Sequence, residues 1–217
     1  MQRKEKNNWK KGQLYVVGSL FIVISLTFLL FRFYSFYREQ RIEKGKINSF
    51  YQYQIEKIKV VPSDVNKENN DLNYIAVLKI DSIHLEKGLY DIQNKLNHVD
   101  NNIEILEEST MPNVQNGNLI LAGHNGNGKN SYFRNLHKIK EGELISIFYD
   151  GYEYQYQVMN IYQVEKTGKV DIIRNKEKTT LTLITCSGRN KQLVVISELI
   201  NMRRKSWIIV IIKLQKL

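Results

Sequence analysis

Cys186 is the single thiol of the 217-residue chain, and His124 is one of four histidines. A cysteine attacks a carbonyl as its thiolate, so it needs a neighbour that can take and return a proton. Both residues close an apolar run with strand-like texture. His124 follows NLILAG (118–123) and precedes Asn125-Gly126-Asn127-Gly128, whereas Cys186 follows TTLTLIT (179–185) and precedes Ser187-Gly188-Arg189-Asn190. Strand ends and the loops beyond them are where side chains reach ligands. A thiol and an imidazole so placed offer the nucleophile and the proton carrier of an acyl transfer. Arg189 and Lys191, just past the cysteine, offer positive charge to the oxyanion of such a reaction. Each residue alone also has a plainer reading: a lone cysteine as a small buried side chain, a loop histidine and a basic turn as solvated groups. His84, His98 and His137 lie in loop, strand-edge or turn contexts, and His137 reads as solvated.

The elements that must position these residues are short and β-like. YIAVLKI (74–80), NLILAG (118–123), ELISIFY (143–149), YEYQYQV (152–158), TTLTLITC (179–186) and QLVVISELI (192–200) read as strands. Asp150-Gly151 between two of them is a strong hairpin signal. Brief turns without sustained helices between most runs predict an all-β, closed barrel rather than alternating strands and helices. A short helix is expected near residues 103–108.

Composition narrows the class further. With 42% hydrophobic and 25% charged residues the chain is an ordinary folded one. One cysteine excludes an intramolecular disulfide framework and the usual zinc spacings. Lysine plus arginine exceed aspartate plus glutamate by 32 to 22, a net charge of +10. Such a surface attracts nucleic acid, anionic lipid or an acidic envelope, and charge alone does not choose.

Leu14 to Phe31 carries no charge over 18 residues, about 27 Å as a helix, just enough to cross a bilayer. Aromatic residues and Arg32 follow it, where a cleaved leader would have small residues, so an uncleaved anchor is expected. Basic residues flank both ends nearly equally and leave the orientation open. The expected organisation is a short N-terminus (1–13), a transmembrane anchor (14–31), a stalk or linker (32–73) whose weak helical pattern at 39–60, ended by Pro62, suggests a stalk or an N-terminal appendage, a barrel (74–200) and a basic-hydrophobic tail (201–217).

Thr182-Leu183-Ile184-Thr185-Cys186 resembles the TLxTC motif of sortases, and Leu121-Ala122-Gly123-His124 resembles the segment carrying their histidine, in the same order and roughly 60 residues apart. IAVLKIDSI (75–83), FRNLHKIKEGE (133–143) and QLVVISEL (192–199) are similar to further landmarks of that family. The resemblance implies a sortase-like β-barrel with short helices behind one transmembrane helix, on the outer face of a Gram-positive membrane, with the catalytic domain extracellular. It implies a cysteine transpeptidase in which Cys186 attacks an LPxTG-like sorting signal, His124 protonates the leaving amine, and an amine of a cell-wall precursor peptide or a pilin lysine resolves the thioester. Thr185 and Ala122, beside the two catalytic residues, would bind substrate. The implied partners are secreted proteins with such signals and the membrane, and no nucleic acid.

The chain departs from the family at its arginine. Aligning the last strand puts Lys191 at that position, and Arg189 stands two residues earlier. Arg189 is the preferred third residue, Lys191 the alternative, because a guanidinium offers a planar fork and an ammonium a point charge. Glu104, Glu107 and Glu108 lie where some sortases bind calcium, but the reading takes them as solvated and expects no cofactor. Two other functions stay open: a catalytically weak binding or assembly module, and a hydrolytic cysteine peptidase.

Overall fold

The computed structural model describes residues 2–59 and 74–204. Helix α1 (Gln2–Lys59) is followed by strands β1 (Ala76–Ile80), β2 (Leu85–Leu89), β3 (Glu104–Ile105), β4 (Asn118–Ala122), β5 (Leu144–Tyr149), β6 (Tyr152–Glu165), β7 (Thr180–Ser187) and β8 (Lys191–Arg204). The strands form one sheet in the order β2-β1-β5-β6-β8-β7-β4-β3, curled into a nearly closed barrel. The short helices are 3-10 turns at Asp81–Ile83 and Leu136–Lys138.

Local chemistry explains the strand boundaries. Asp150 and Gly151 both take positive φ, 47° and 81°, the backbone of a two-residue turn whose twist matches its strands. Tyr149 and Tyr152 therefore pair directly, and β5 and β6 stay in register to Leu144 and Gln157. Strand β6 is 14 residues long and has register shifts against β8 at Gln155/Tyr156 and Val158/Asn160. Such bulges bend a strand and raise its twist, which lets one strand follow the curve of a barrel.

The helix expected near residues 103–108 is absent, and β3 occupies its centre. Ile103 and Ile105 are both buried, with the period of two that suits a strand, and Glu104 and Ile105 pair antiparallel with Ala122 and Leu121. Strand β2 was not anticipated either, because Glu86, Lys87 and Gly88 hide its alternation. Lys87 is buried, its ammonium 4.6 Å from the centre of the Tyr132 ring.

Alternation divides the sheet into two faces. Leu78, Ile147, Tyr156, Leu183, Val195 and Leu121 point inward and are fully buried. On the outer face of β1 and β5, Val77 and Phe148 are register partners and join a second buried cluster with Ile47, Phe50 and Ile55 of α1. Those helical positions recur at the spacing of one apolar face. Residues 46–55 thus fold as part of the barrel's compact unit, an N-terminal appendage to it rather than a stalk.

Residues up to Gly45 form a separate unit. Among the described residues, α1 is the one helix long and apolar enough to cross a membrane. Its most apolar window has a mean hydropathy of 2.3 and is not buried within the protein. Pro62, the expected loop at 63–73 and the tail from residue 205 lie outside the described residues. Strand β8 runs to Arg204, beyond the expected end of the barrel at 200.

Candidate active site

All neighbouring strands pair antiparallel except β4 and β7, which run parallel with Ala122 level with Ile184. The pairing continues past the end of β4. Gly123 N–H donates to the Ile184 carbonyl at 3.1 Å, and the Thr185 hydroxyl donates to the Gly123 carbonyl at 2.6 Å. Two residues beyond the Ala122–Ile184 pair, His124 and Cys186 fall level at the same end of adjacent strands. Leu121 and Leu183 point inward, so Ala122, Ile184 and Cys186 alternate to the outer face.

The His124 loop is held from several directions. Phe133 N–H donates to the His124 carbonyl at 3.0 Å, and the Arg134 guanidinium donates to the carbonyls of Gly126 and Gly128, both at 2.9 Å. Asn125 Nδ2 donates to the Cys186 carbonyl, tying the two strand ends together. Gly123 admits the buried Phe133 ring, since a Cβ there would meet ring carbons at 2.9 Å.

Asp100 faces the histidine. Its carboxylate lies 3.0 Å from His124 Nε2 and 3.5 Å from His98 Nδ1, and Asn130 Nδ2 donates to its backbone carbonyl. The hydrogen bond with His124 holds the Asp100 carboxyl below its ordinary value, and the charge of His98 adds to the effect. Nothing in the sequence marks Asp100, which reaches the site from a turn 24 residues before the histidine.

Around half-buried Cys186 the expected cations separate. Arg189 lies in the exposed turn between β7 and β8, where Gly188 takes a φ of 73°. The chain bends there, so Arg189 and Lys191 do not share the face of one extended segment. Lys191 pairs with Ser187, one residue out of step with Cys186, and so alternates to the other face. A cation the sequence did not suggest, Lys166 just past β6, has its Nζ 3.8 Å from Sγ. The residue directly opposite Cys186 is Gln192. Sequence reasoning missed both. Lys166 carries no local signal, whereas Gln192 could have been found by counting alternation back from Leu193 across the turn.

Of the two expected substrate-binding residues, Ala122 is half-buried on the outer face beside the site. Thr185 alternates inward with Leu183, is 3% exposed and spends its hydroxyl on Gly123, so it braces β4 against β7. The carboxylate of Glu104 accepts the Val99 N–H at 3.0 Å. Among the described residues, no three His, Cys, Asp or Glu side chains gather to hold a metal ion.

The arrangement combines a thiol, an imidazole backed by a carboxylate, and an ammonium beside the sulfur. These are the parts needed to acylate a thiol and protonate a leaving group.

A family model described as "Sortase domain" matches residues 78–200. Sortase A of Bacillus anthracis is 24% identical over 211 residues, covering 90% of this chain and 99% of that protein. Among solved structures, the Clostridium perfringens Sortase D5 transpeptidase aligns with a TM-score of 0.55 at 24% identity, over 74% of this chain and 99% of that one. Sortase A of Listeria monocytogenes aligns with a TM-score of 0.52 at 22% identity, over 61% of this chain and 91% of that one.

Proposed function

The chain belongs to the sortase family, and from that premise we propose that it is a membrane-anchored enzyme that cleaves an LPxTG-like sorting signal and passes the acyl group to an amine of the cell wall or of another protein. Sortases are cysteine transpeptidases, and this chain carries one cysteine to serve as nucleophile. The observation that carries the assignment of roles is the parallel register of β4 and β7, which brings His124 level with Cys186.

In this reading Cys186 Sγ attacks the carbonyl carbon of the scissile bond and His124 gives a proton to the departing amine. The resulting thioester is then attacked by an incoming amine, whose proton His124 accepts. Lys166 holds positive charge where negative charge builds up. The apolar helix before Gly45 is the anchor, with the barrel on the outer face of the membrane. The full chain in detergent, incubated with a library of LPxTG variants with and without triglycine or lysine as acceptor, tests the reading by mass analysis. Peptide joined to the amine supports it. Hydrolysed peptide alone transfers the assignment to a cysteine peptidase, and intact peptide throughout transfers it to a binding module.

Asp100 acts in this scheme by holding the His124 ring. Because the pair is exposed, Asp100→Asn is expected to lower kcat by no more than about fivefold, the scale of a surface ion pair. KM should stay unchanged, with partial recovery in Asp100→Glu. A carboxyl whose folded-state value is lowered contributes stability that is complete above its unfolded value and fades as pH falls through the folded one. The stability lost in Asp100→Asn should therefore be present above the ordinary carboxylate range and close in stronger acid. A thermal-melt series over pH, run beside the kinetics, checks both, and a change in KM with kcat preserved would remove Asp100 from this role.

A further inference from the structure

The third element of the site is where sequence and structure part. We infer that the carboxamide of Gln192, rather than the side chain of Arg189 or Lys191, donates the hydrogen bond that stabilises the oxyanion formed when Cys186 attacks a carbonyl. The inference rests on the assignment of Cys186 as nucleophile in the preceding section.

Three observations converge on Gln192. First, the antiparallel register of β7 and β8 sets it directly across from Cys186, and directly opposed residues on a pleated sheet project from the same face with their Cβ atoms about 5 Å apart. Its inward-facing neighbour Leu193 is buried in the barrel, which fixes Gln192 on the outer face with the sulfur. Second, Gln192 Oε1 is shielded from solvent and has no hydrogen-bond partner among the described residues. Buried polar groups are nearly always paired, and this one, beside the nucleophile, is free to accept the N–H of a bound peptide. Third, neither expected cation shares this position. Lys191 is one residue out of step, and Arg189 is on the exposed turn.

A carboxamide both donates and accepts, so it matches a peptide substrate at both ends. The –NH2 group meets the carbonyl under attack, and the oxygen takes a backbone N–H of the same extended peptide. In the addition step the Sγ–C bond forms while the C=O π pair moves onto oxygen, and the new O⁻ lies against the Gln192 –NH2. On collapse that pair returns to the C=O bond and the leaving group departs. A neutral donor held in place before the reaction stabilises this charge without reorganising, and a single such donor is worth a large factor in rate. Lys166, 3.8 Å from the sulfur, supplies the positive charge that a carboxamide lacks.

The test separates oxyanion stabilisation from thiol reactivity. Full-length protein in detergent is acylated with p-nitrophenyl acetate, following p-nitrophenolate release and the acetyl mass on Cys186, with Cys186→Ala as background. In parallel, Cys186 is alkylated with iodoacetamide, a displacement at sp³ carbon that forms no oxyanion. Gln192→Ala and Gln192→Leu, both lacking the –NH2 group, are expected to slow acylation by about tenfold or more and to leave alkylation within about twofold. Arg189→Ala and Lys191→Ala should keep acylation within about threefold. Unchanged acylation in Gln192→Ala overturns the inference. So does an equal fall in both reactions, which would reveal a structural role, or a larger loss of acylation in Arg189→Ala. The ester carries no sorting signal, so failure of the wild-type protein to cleave LPxTG peptides would count against the proposed function and leave this result standing.

Discussion

Replacing Cys186 with alanine is expected to abolish both cleavage and joining of sorting-signal peptides, with the barrel intact. The chain has no second cysteine to take over, and the proposed reaction has no route that bypasses the thioester. The substitution removes one sulfur from a half-buried site at the rim of the sheet. It opens no large cavity, and the pairing of Cys186 with Gln192 is made by backbone groups that alanine keeps. The melting temperature should stay within a few degrees of wild type, while covalent peptide adducts disappear from the mass spectrum. Turnover clearly above background in a folded mutant would remove Cys186 as nucleophile, and the mechanism with it.

The second large effect concerns the imidazole. His124→Ala should lower turnover by at least about a hundredfold, the usual scale for a general acid or base, with KM little changed. His137→Ala serves as the internal control and should stay within about threefold. His137 lies on the 3-10 turn Leu136–Lys138, exposed, with its ring nitrogen 3.0 Å from the Arg134 carbonyl. It has no register with β7. Steady-state kinetics of both mutants decide the matter, and the reverse order of effects would place the proton-transfer role on the wrong histidine.

Both predictions use residues that are legible in the sequence. TLITC and LAGH are short local patterns, and each sits at the end of a strand whose apolar run is evident in the sequence. The Asp150-Gly151 turn was legible for the same reason, since its positive φ angles are a property of two adjacent residues. Strands β2 and β3 were not. In β2 the buried Lys87 breaks the hydrophobic alternation and is accommodated by distant tyrosines. Strand β3 is two residues long and exists because β4 lies beside it. The helical pattern of residues 39–60 looked like a stalk because Ile47, Phe50 and Ile55 find their partners, Val77 and Phe148, tens of residues away.

What the amino-acid sequence determined by itself was the kind of protein: a β-rich domain with one thiol and one histidine at the ends of apolar strands and an apolar N-terminal helix. These follow from side-chain chemistry and from periods of a few residues, which backbone geometry enforces locally. The composition of the site was decided only in three dimensions. Asp100 comes to His124 from a turn, Lys166 to Cys186 from the end of β6, and Gln192 to Cys186 from across a hairpin. Lys191 and Gln192 are equally polar and adjacent in sequence, and only the register of β8 on β7 sends one to each face. That register depends on Leu193 and Val195 packing inward against the rest of the barrel. A slip of one residue would turn both outward, so burial spread over the whole core, rather than any local preference, chooses which side chain shares the sulfur's face.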